Sequence, residues 1–202
     1  MNPEVLVIYY SRHGSVAALA RQVCRGIDSV PGISSCLRTV PPVSSAAGQR
    51  LPEIPDSGPP YASRDDLARC SGLVLGSPGR FGNMAAALKY FLDGTSSEWL
   101  SGALSGKPAG VFTSTSSMHG GQETTLLTMA LPLIHHGMVW VGVPYSEGAL
   151  SSTRSGGTPY GASHLAPAQQ DTTLSDEEIR IARHLGRRVA EAALRLAGWE
   201  RG

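Results

Sequence analysis

An apolar run, Val5-Leu6-Val7-Ile8-Tyr9-Tyr10, passes through Ser11-Arg12-His13-Gly14-Ser15-Val16 directly into a helical pattern. A strand this apolar and β-branched has no solvent face. It therefore belongs inside a sheet covered on both sides, as in a parallel sheet with helices on each face. The helix behind it begins with N–H groups that lack partners within the helix, and the macrodipole adds partial positive charge there. Strand, short loop and helix N-terminus together can hold a phosphate without any Lys or Arg. Gly14 lets the backbone come close, and the Ser11 and Ser15 hydroxyls can donate as well. An ordinary serine-capped turn reads the same way, so this segment alone does not decide the ligand.

The motifs that are missing narrow the choice. No G-x-G-x-x-G follows the first strand, as a dinucleotide fold requires, and no G-x-x-x-x-G-K-[ST] of a nucleoside triphosphatase is present. Gly102-Ala103-Leu104-Ser105-Gly106-Lys107-Pro108 is one residue short between its glycines and carries Pro108 where a magnesium-binding hydroxyl belongs. A hydroxyl-rich loop around one central glycine suits a single terminal phosphate, as in flavin mononucleotide (FMN) bound at the switch point of a doubly wound sheet.

At 202 residues the chain can bury one substantial core, and it reads as a single domain over 1–202 with insertions at about 41–62 and 144–173. Its 17 basic and 16 acidic residues are mixed along the chain for a net charge of +1, which argues against a nucleic-acid partner. Arg180, Arg183, Arg187 and Arg188 alternate with Glu177, Glu178 and Glu191 at helical spacing, the pattern of a solvated face. No apolar span is long enough for membrane insertion and no leader pattern opens the chain, so a cytoplasmic protein is expected. Cys24, Cys36 and Cys70 form no C-x-x-C pair and read as free, buried thiols.

Strand and helix patterns alternate along the chain. After the first helix, about 16 to 28, Ser34 to Val40 reads as a second strand, and Pro41 to Ala62 as an excursion without period. Ser63-Arg64-Asp65-Asp66 resembles a capping box opening a short helix that ends near Cys70. Leu73 to Gly76 is a third strand ending in the loop Ser77-Pro78-Gly79-Arg80-Phe81-Gly82-Asn83, with Asn83 as N-cap of the next helix and Met84, Leu88 and Phe91 on its inner face. Ala109 to Thr113 is a fourth strand, followed by the loop 114–121 and a helix from Glu123 to His136 that contains Pro132. Val139 to Val143 is a fifth strand. Ser175-Asp176-Glu177-Glu178 caps a last helix whose buried stripe is Ala182, Leu185, Val189 and Leu196. Loops rich in hydroxyls or glycines thus fall after strands one, three and four, where a doubly wound sheet places its ligand.

Val5 to Gly14, Gly76-Ser77-Pro78-Gly79-Arg80-Phe81-Gly82-Asn83-Met84, Ser101-Gly102-Ala103-Leu104, Gly120-Gly121-Gln122-Glu123, His135-His136-Gly137-Met138 and Gly156-Gly157-Thr158-Pro159-Tyr160-Gly161-Ala162 resemble the WrbA family of flavodoxin-like NAD(P)H:quinone oxidoreductases, nearly end to end. The resemblance implies an α/β, flavodoxin-like, doubly wound five-stranded parallel sheet in the order 2-1-3-4-5, with FMN as cofactor and assembly as a homotetramer. It implies that Ser11, Arg12, His13, Gly14, Ser15 and Val16 hold the flavin phosphate. Pro78, Gly79, Arg80 and Phe81 would line the isoalloxazine, and Ser114, Thr115, Ser116, Ser117, His119 and Gly120 its other edge. His135 would contact the flavin, and Trp99 would wall the substrate cavity. Two departures stand out: His13 occupies the place of an aromatic residue that the family associates with the nicotinamide, and the loop 114–121 is one residue longer than the usual type.

The expected activity is two-electron, ping-pong reduction of quinones by NAD(P)H, in which the flavin carries the chemistry and no protein nucleophile or metal is needed. A flavodoxin-type electron carrier is one alternative, but such carriers are strongly acidic and this chain is not. A flavin-free interaction protein is the other.

Overall fold

The computed structural model describes residues 3–44, 55, 57–167 and 171–197. β1 (Glu4–Tyr9) is buried from Val5 onward, as its composition requires. It lies between β2 (Ser34–Thr39) and β3 (Gly72–Pro78) and pairs in parallel with both. β4 (Pro108–Thr115) follows β3, and β5 (Val139–Trp140) follows β4, so the order is β2-β1-β3-β4-β5. This is the expected flavodoxin-like order, with its reversal between β1 and β3.

Each sheet face has its own core. Val5, Val7, Val74 and Phe112 point to the face covered by α1 (Ser15–Asp28) and α7 (Asp176–Leu196). Leu6, Ile8, Leu73, Leu75 and Val111 point to the other, covered by α2 (Arg64–Arg69), α3 (Ala86–Asp93) and α5 (Gln122–His135). α1 and α7 cross at backbone contact: a Cβ on Gly186 would run into the Val23 carbonyl, and one on Gly26 into that of Arg183. On α7 the buried stripe is Ile181, Ala182, Leu185, Val189 and Ala193, and the expected Leu196 is only half-buried.

The largest departure from the sequence reading is the fifth strand position. Only Val139 and Trp140 pair with β4, opposite Pro108 and Ala109. The chain then leaves the sheet: the Val143 N–H goes to the Pro159 carbonyl, and Pro144 has no N–H to offer. After α6 (Ala149–Ser152), a tight turn with Thr158 and Gly161 paired brings it back as β6 (Ala162–Leu165). β6 pairs in parallel with Phe112 to Thr115, the second half of β4. The expected five strands are therefore six, and the segment read as an insertion supplies one of them.

Smaller departures follow from local hydrogen bonding. Asn83 does not cap α3. It pairs with Arg80 across a two-residue turn, and α3 starts three residues later, where the Ser77 hydroxyl accepts from the Ala85 N–H at 2.8 Å. β3 and β4 run on through Pro78 and Thr115, so Ser114 and Thr115 belong to a strand. A short helix, α4 (Ser96–Leu100), was not anticipated. Both capping boxes form, at Ser63/Asp66 and Ser175/Glu178. Glu178 is the exception to the solvated face read for α7: it is buried and bonded inward. The arginines there do meet solvent-side partners, as in Arg180 with Glu147. Most of the 41–62 excursion lies outside the described residues, but Tyr61 bridges Thr39 at the free edge of β2.

Burial pushes the Cys24 and Cys70 thiols up to about 11, so neither is a thiolate near neutral pH, and all three cysteines are unpaired.

Candidate functional site

The turn from β1 into α1 is built around Gly14, whose φ of 96° is left-handed. The Ser11 hydroxyl oxygen accepts from the Gly14 N–H at 3.1 Å and the Ala17 N–H at 3.4 Å, which leaves its own proton aimed at no acceptor among the described residues. The N–H groups of Arg12, His13, Ser15 and Val16 likewise have no acceptor among those residues. Four amides and a hydroxyl thus converge on one opening at the N-terminus of a 14-residue helix. Donors in that arrangement match the oxygens of a phosphate monoester.

The same opening takes residues from two further strand ends. A cavity of about 160 Å³ is lined by Ser11, Arg12, His13, Ser15 and Val16, by Pro78 and Arg80 at and just past the end of β3, and by Ser114, Thr115 and Ser116 at and just past the end of β4. Ala166 and Pro167, which follow β6, close the last side. Sequence reasoning missed those two, because they become neighbours of the loop only through the strand hidden in the insertion. A wider groove of about 770 Å³ continues from the cavity past Tyr10, Asn83 and Lys89, and shares Arg12 and Arg80 with it. Neither of these two arginines has a carboxylate partner among the described residues.

Not every expected site residue lines the cavity. Gly14 lies beneath it as the turn that aims the amides. The Ser15 hydroxyl does not face a ligand: it donates to the Asp171 carbonyl at 2.6 Å. Gly79 packs over Thr115 and Thr125. Phe81 stands wholly exposed at φ 51°, followed by Gly82 at 75°, in a type I′ turn closed by the Arg80–Asn83 pair and tied by Thr128 to the Gly82 carbonyl. A bulky residue with positive φ is strained, and such strain persists where the surroundings impose it. Ser117, His119 and Gly120 are exposed and outside the cavity, in a loop folded back on itself by bonds to the Ser117 carbonyl from Thr115 and Gly120.

Trp99 and His135 lie elsewhere. The Trp99 indole N–H donates to the His135 carbonyl at 2.8 Å, and both line a separate hollow with Thr95, Pro132 and His136. α5 is 14 residues long, about 21 Å, and carries the chain from the mouth of the cavity to the opposite end of the sheet. Within one chain, the two residues and the turn at Ser11 to Val16 cannot share a site.

Residues 39–148 match the family model described as NADPH-dependent FMN reductase. A protein of Solidesulfovibrio magneticus named NAD(P)H dehydrogenase (quinone) is 41% identical over 200 residues, covering 96% of this chain and 98% of that one. Among solved structures, a flavodoxin, WrbA-like protein from Agrobacterium tumefaciens superposes with a TM-score of 0.68 at 22% identity, covering 96% of this chain and 99% of that one. A flavodoxin from the domain Archaea does so at 0.60 and 17%, covering 95% and 99%. The structural likenesses establish the flavodoxin-like fold, and the near-complete overlap at 41% identity adds descent, so the chain belongs to the flavodoxin-like NAD(P)H dehydrogenase (quinone) family, the WrbA-type group that its motifs resemble.

Proposed function

We propose that this protein reduces quinones with NAD(P)H, using FMN held at the mouth formed by β1, β3, β4 and β6. The observation that carries this reading is the set of N–H groups of Arg12, His13, Ser15 and Val16, without acceptors among the described residues, at the opening where the ends of β3 and β4 also converge. Those donors fit the FMN phosphate, and the Ser11 proton adds a fifth.

FMN, when bound, supplies the redox chemistry, passing two electrons as a hydride from NAD(P)H to the quinone, while the protein supplies position and field. Ser114, Thr115 and Ser116 border the cavity opposite the phosphate loop and offer hydroxyls and backbone groups to the edge of the ring. Arg80, whose Nη1 donates to the Gly79 carbonyl at 2.8 Å, places a cation there that meets no carboxylate among the described residues, which favours negative charge on the cofactor. The adjoining groove, with Arg12 and Lys89 on its walls, gives the dinucleotide phosphates their approach. One opening serves both substrates, so they bind in turn, and double-reciprocal plots are expected to be parallel.

The working unit is a homotetramer in which Trp99 and His135 of one copy complete the site of another. Supporting this, Leu127, Leu131 and Ile134 form an exposed stripe on α5, alongside exposed Trp99, Leu100 and Val139. The three free thiols suit the reducing cytoplasm, and among the described residues no helix is long and apolar enough to cross a membrane. The test is a titration of the purified protein with FMN followed by an assay of quinone-dependent NAD(P)H oxidation. A protein that binds no FMN, or binds it without oxidising NAD(P)H in the presence of quinone, overturns the reading.

A further inference from the structure

His164 and Glu178 are each only 1% exposed, and nothing in the reaction uses them. Glu178 Oε1 accepts from the Gly156 and Leu165 N–H groups at 2.9 and 3.0 Å, and Oε2 from the Ser175 N–H at 3.0 Å and from His164 Nδ1 at 2.8 Å. A carboxylate so placed is an acceptor only, so Nδ1 carries a proton. The other ring nitrogen, Nε2, faces the Asp171 carbonyl at 3.4 Å. That carbonyl also accepts from the Ser15 hydroxyl in the phosphate loop, at 2.6 Å. The next residue, Thr172, lies over Gly14, with its Cγ2 3.0 Å from where a Cβ on that glycine would stand.

We propose that His164 is a positioning residue that pins segment 171–173 over the cofactor phosphate loop, holding it closed when both ring nitrogens donate, one to Glu178 and the other to the Asp171 carbonyl. The neutral ring cannot do this. With its single proton on Nδ1, it turns a lone pair toward the Asp171 carbonyl, so the bond that holds the strap becomes a contact between two acceptors. Glu178 on α7 and Asp171 on the strap are the titratable groups facing the ring, and β4 opposes it with Ser114. Burial alone pulls the imidazole down, but the hydrogen bond and charge of Glu178 outweigh it and hold His164 above its ordinary value. Grip on the phosphate should therefore weaken as pH rises through that raised value.

The inference rests on the cofactor reading above, so its test has two arms. In the flavin-free protein, hydrogen exchange of peptides spanning 11–17 and 171–174 should quicken together in His164→Gln, while peptides from β3 stay protected. FMN titrations between about pH 7 and 9.5, where the FMN phosphate has already lost its second proton, should show wild-type affinity falling by about tenfold. In His164→Gln and in Ser15→Ala the affinity should be flat with pH, and the double variant should add nothing to either. Ser15 is part-exposed, so Ser15→Ala keeps the test open if the buried variant fails to fold. A wild-type profile that matches Ser15→Ala, or exchange that rises at 171–174 without 11–17, overturns the clamp. Wild-type protein that binds no FMN overturns the cofactor reading instead, and exchange then decides the clamp alone.

Discussion

The two ends of the sheet are built on different principles. At the carboxyl end, loops from β1, β3, β4 and β6 meet around a small cavity, and the turn at Gly14 is braced by Ser11, Ser15 and Thr172. At the amino end, Trp99, Leu100, Ile134 and Val139 face solvent, and the hollow beside His135 is open. The first gathers its unpaired backbone amides from a single chain. The second exposes apolar area that costs free energy in water, at about 25 cal/mol per Å², until something covers it. A cavity end and an apolar, exposed end follow from one topology, because parallel strands send all their outgoing loops to one edge and all their returns to the other.

The contrast breaks most visibly at Gly14. In Gly14→Asp a side chain is forced into left-handed backbone against Thr172, and its carboxylate meets the phosphate, so FMN affinity should fall by more than about a thousandfold. An unchanged flavin titration refutes the placement of the phosphate at this loop. The same substitution should leave the oligomeric mass as it is, since Gly14 belongs to the other end.

Glu178→Gln attacks the support of the cavity end. Removing the charge from a buried, hydrogen-bonded pair should lower stability by about 3 kcal/mol, read by denaturant unfolding near neutral pH. The hydrogen bonds from His164, Leu165 and Ser175 overcome burial and hold the Glu178 carboxyl below its ordinary value. Its contribution is therefore present above the unfolded carboxylate range and is lost as pH falls through the folded value. The gap between wild type and variant should close in acid. A gap independent of pH would show that packing, not charge, is what Glu178 supplies.

At the apolar, exposed end, Leu131→Asp with Ile134→Asp should split the assembly and lower quinone reduction about tenfold, with FMN binding retained. Light scattering and activity on the same samples check it. A wild-type protein that is monomeric and fully active sinks the shared-site reading outright.

The smallest effect is expected at Phe81. Phe81→Gly relieves positive-φ strain at a fully exposed side chain, so it should raise stability by roughly 1 kcal/mol in denaturant unfolding. A loss of stability would mean that the ring already packs against a neighbouring copy.

Several features were legible in the residues because they depend on short-range chemistry. The apolar run at Val5 required a buried parallel strand, Ser63 and Ser175 with an acid three residues on announced their helices, and Ser11 to Val16 formed the anion-ready turn. The family-specific strings around Arg80 and Gly156 were legible as well, though what they build was not: one forms a strained turn with its aromatic ring in solvent, the other returns the chain as β6. Asn83 lost its expected capping role because its backbone pairs with Arg80, and α3 begins at Ala86 without a side-chain cap, the Ala85 N–H being taken by the Ser77 hydroxyl from β3. Local chemistry in the sequence by itself determined the alternation of elements and the hydroxyl-rich turn after β1, while the sheet order was legible only through the family resemblance. Only the tertiary structure decided that β4 is shared between Val139–Trp140 and Ala162–Leu165, that Asp171 and His164 reach Ser15 from far along the chain, and that Trp99 and His135 face away from the cavity. The physical reason is separation. Contacts across 150 residues of chain depend on where the sheet places its edges and helix ends, and no local pattern of residues encodes that distance.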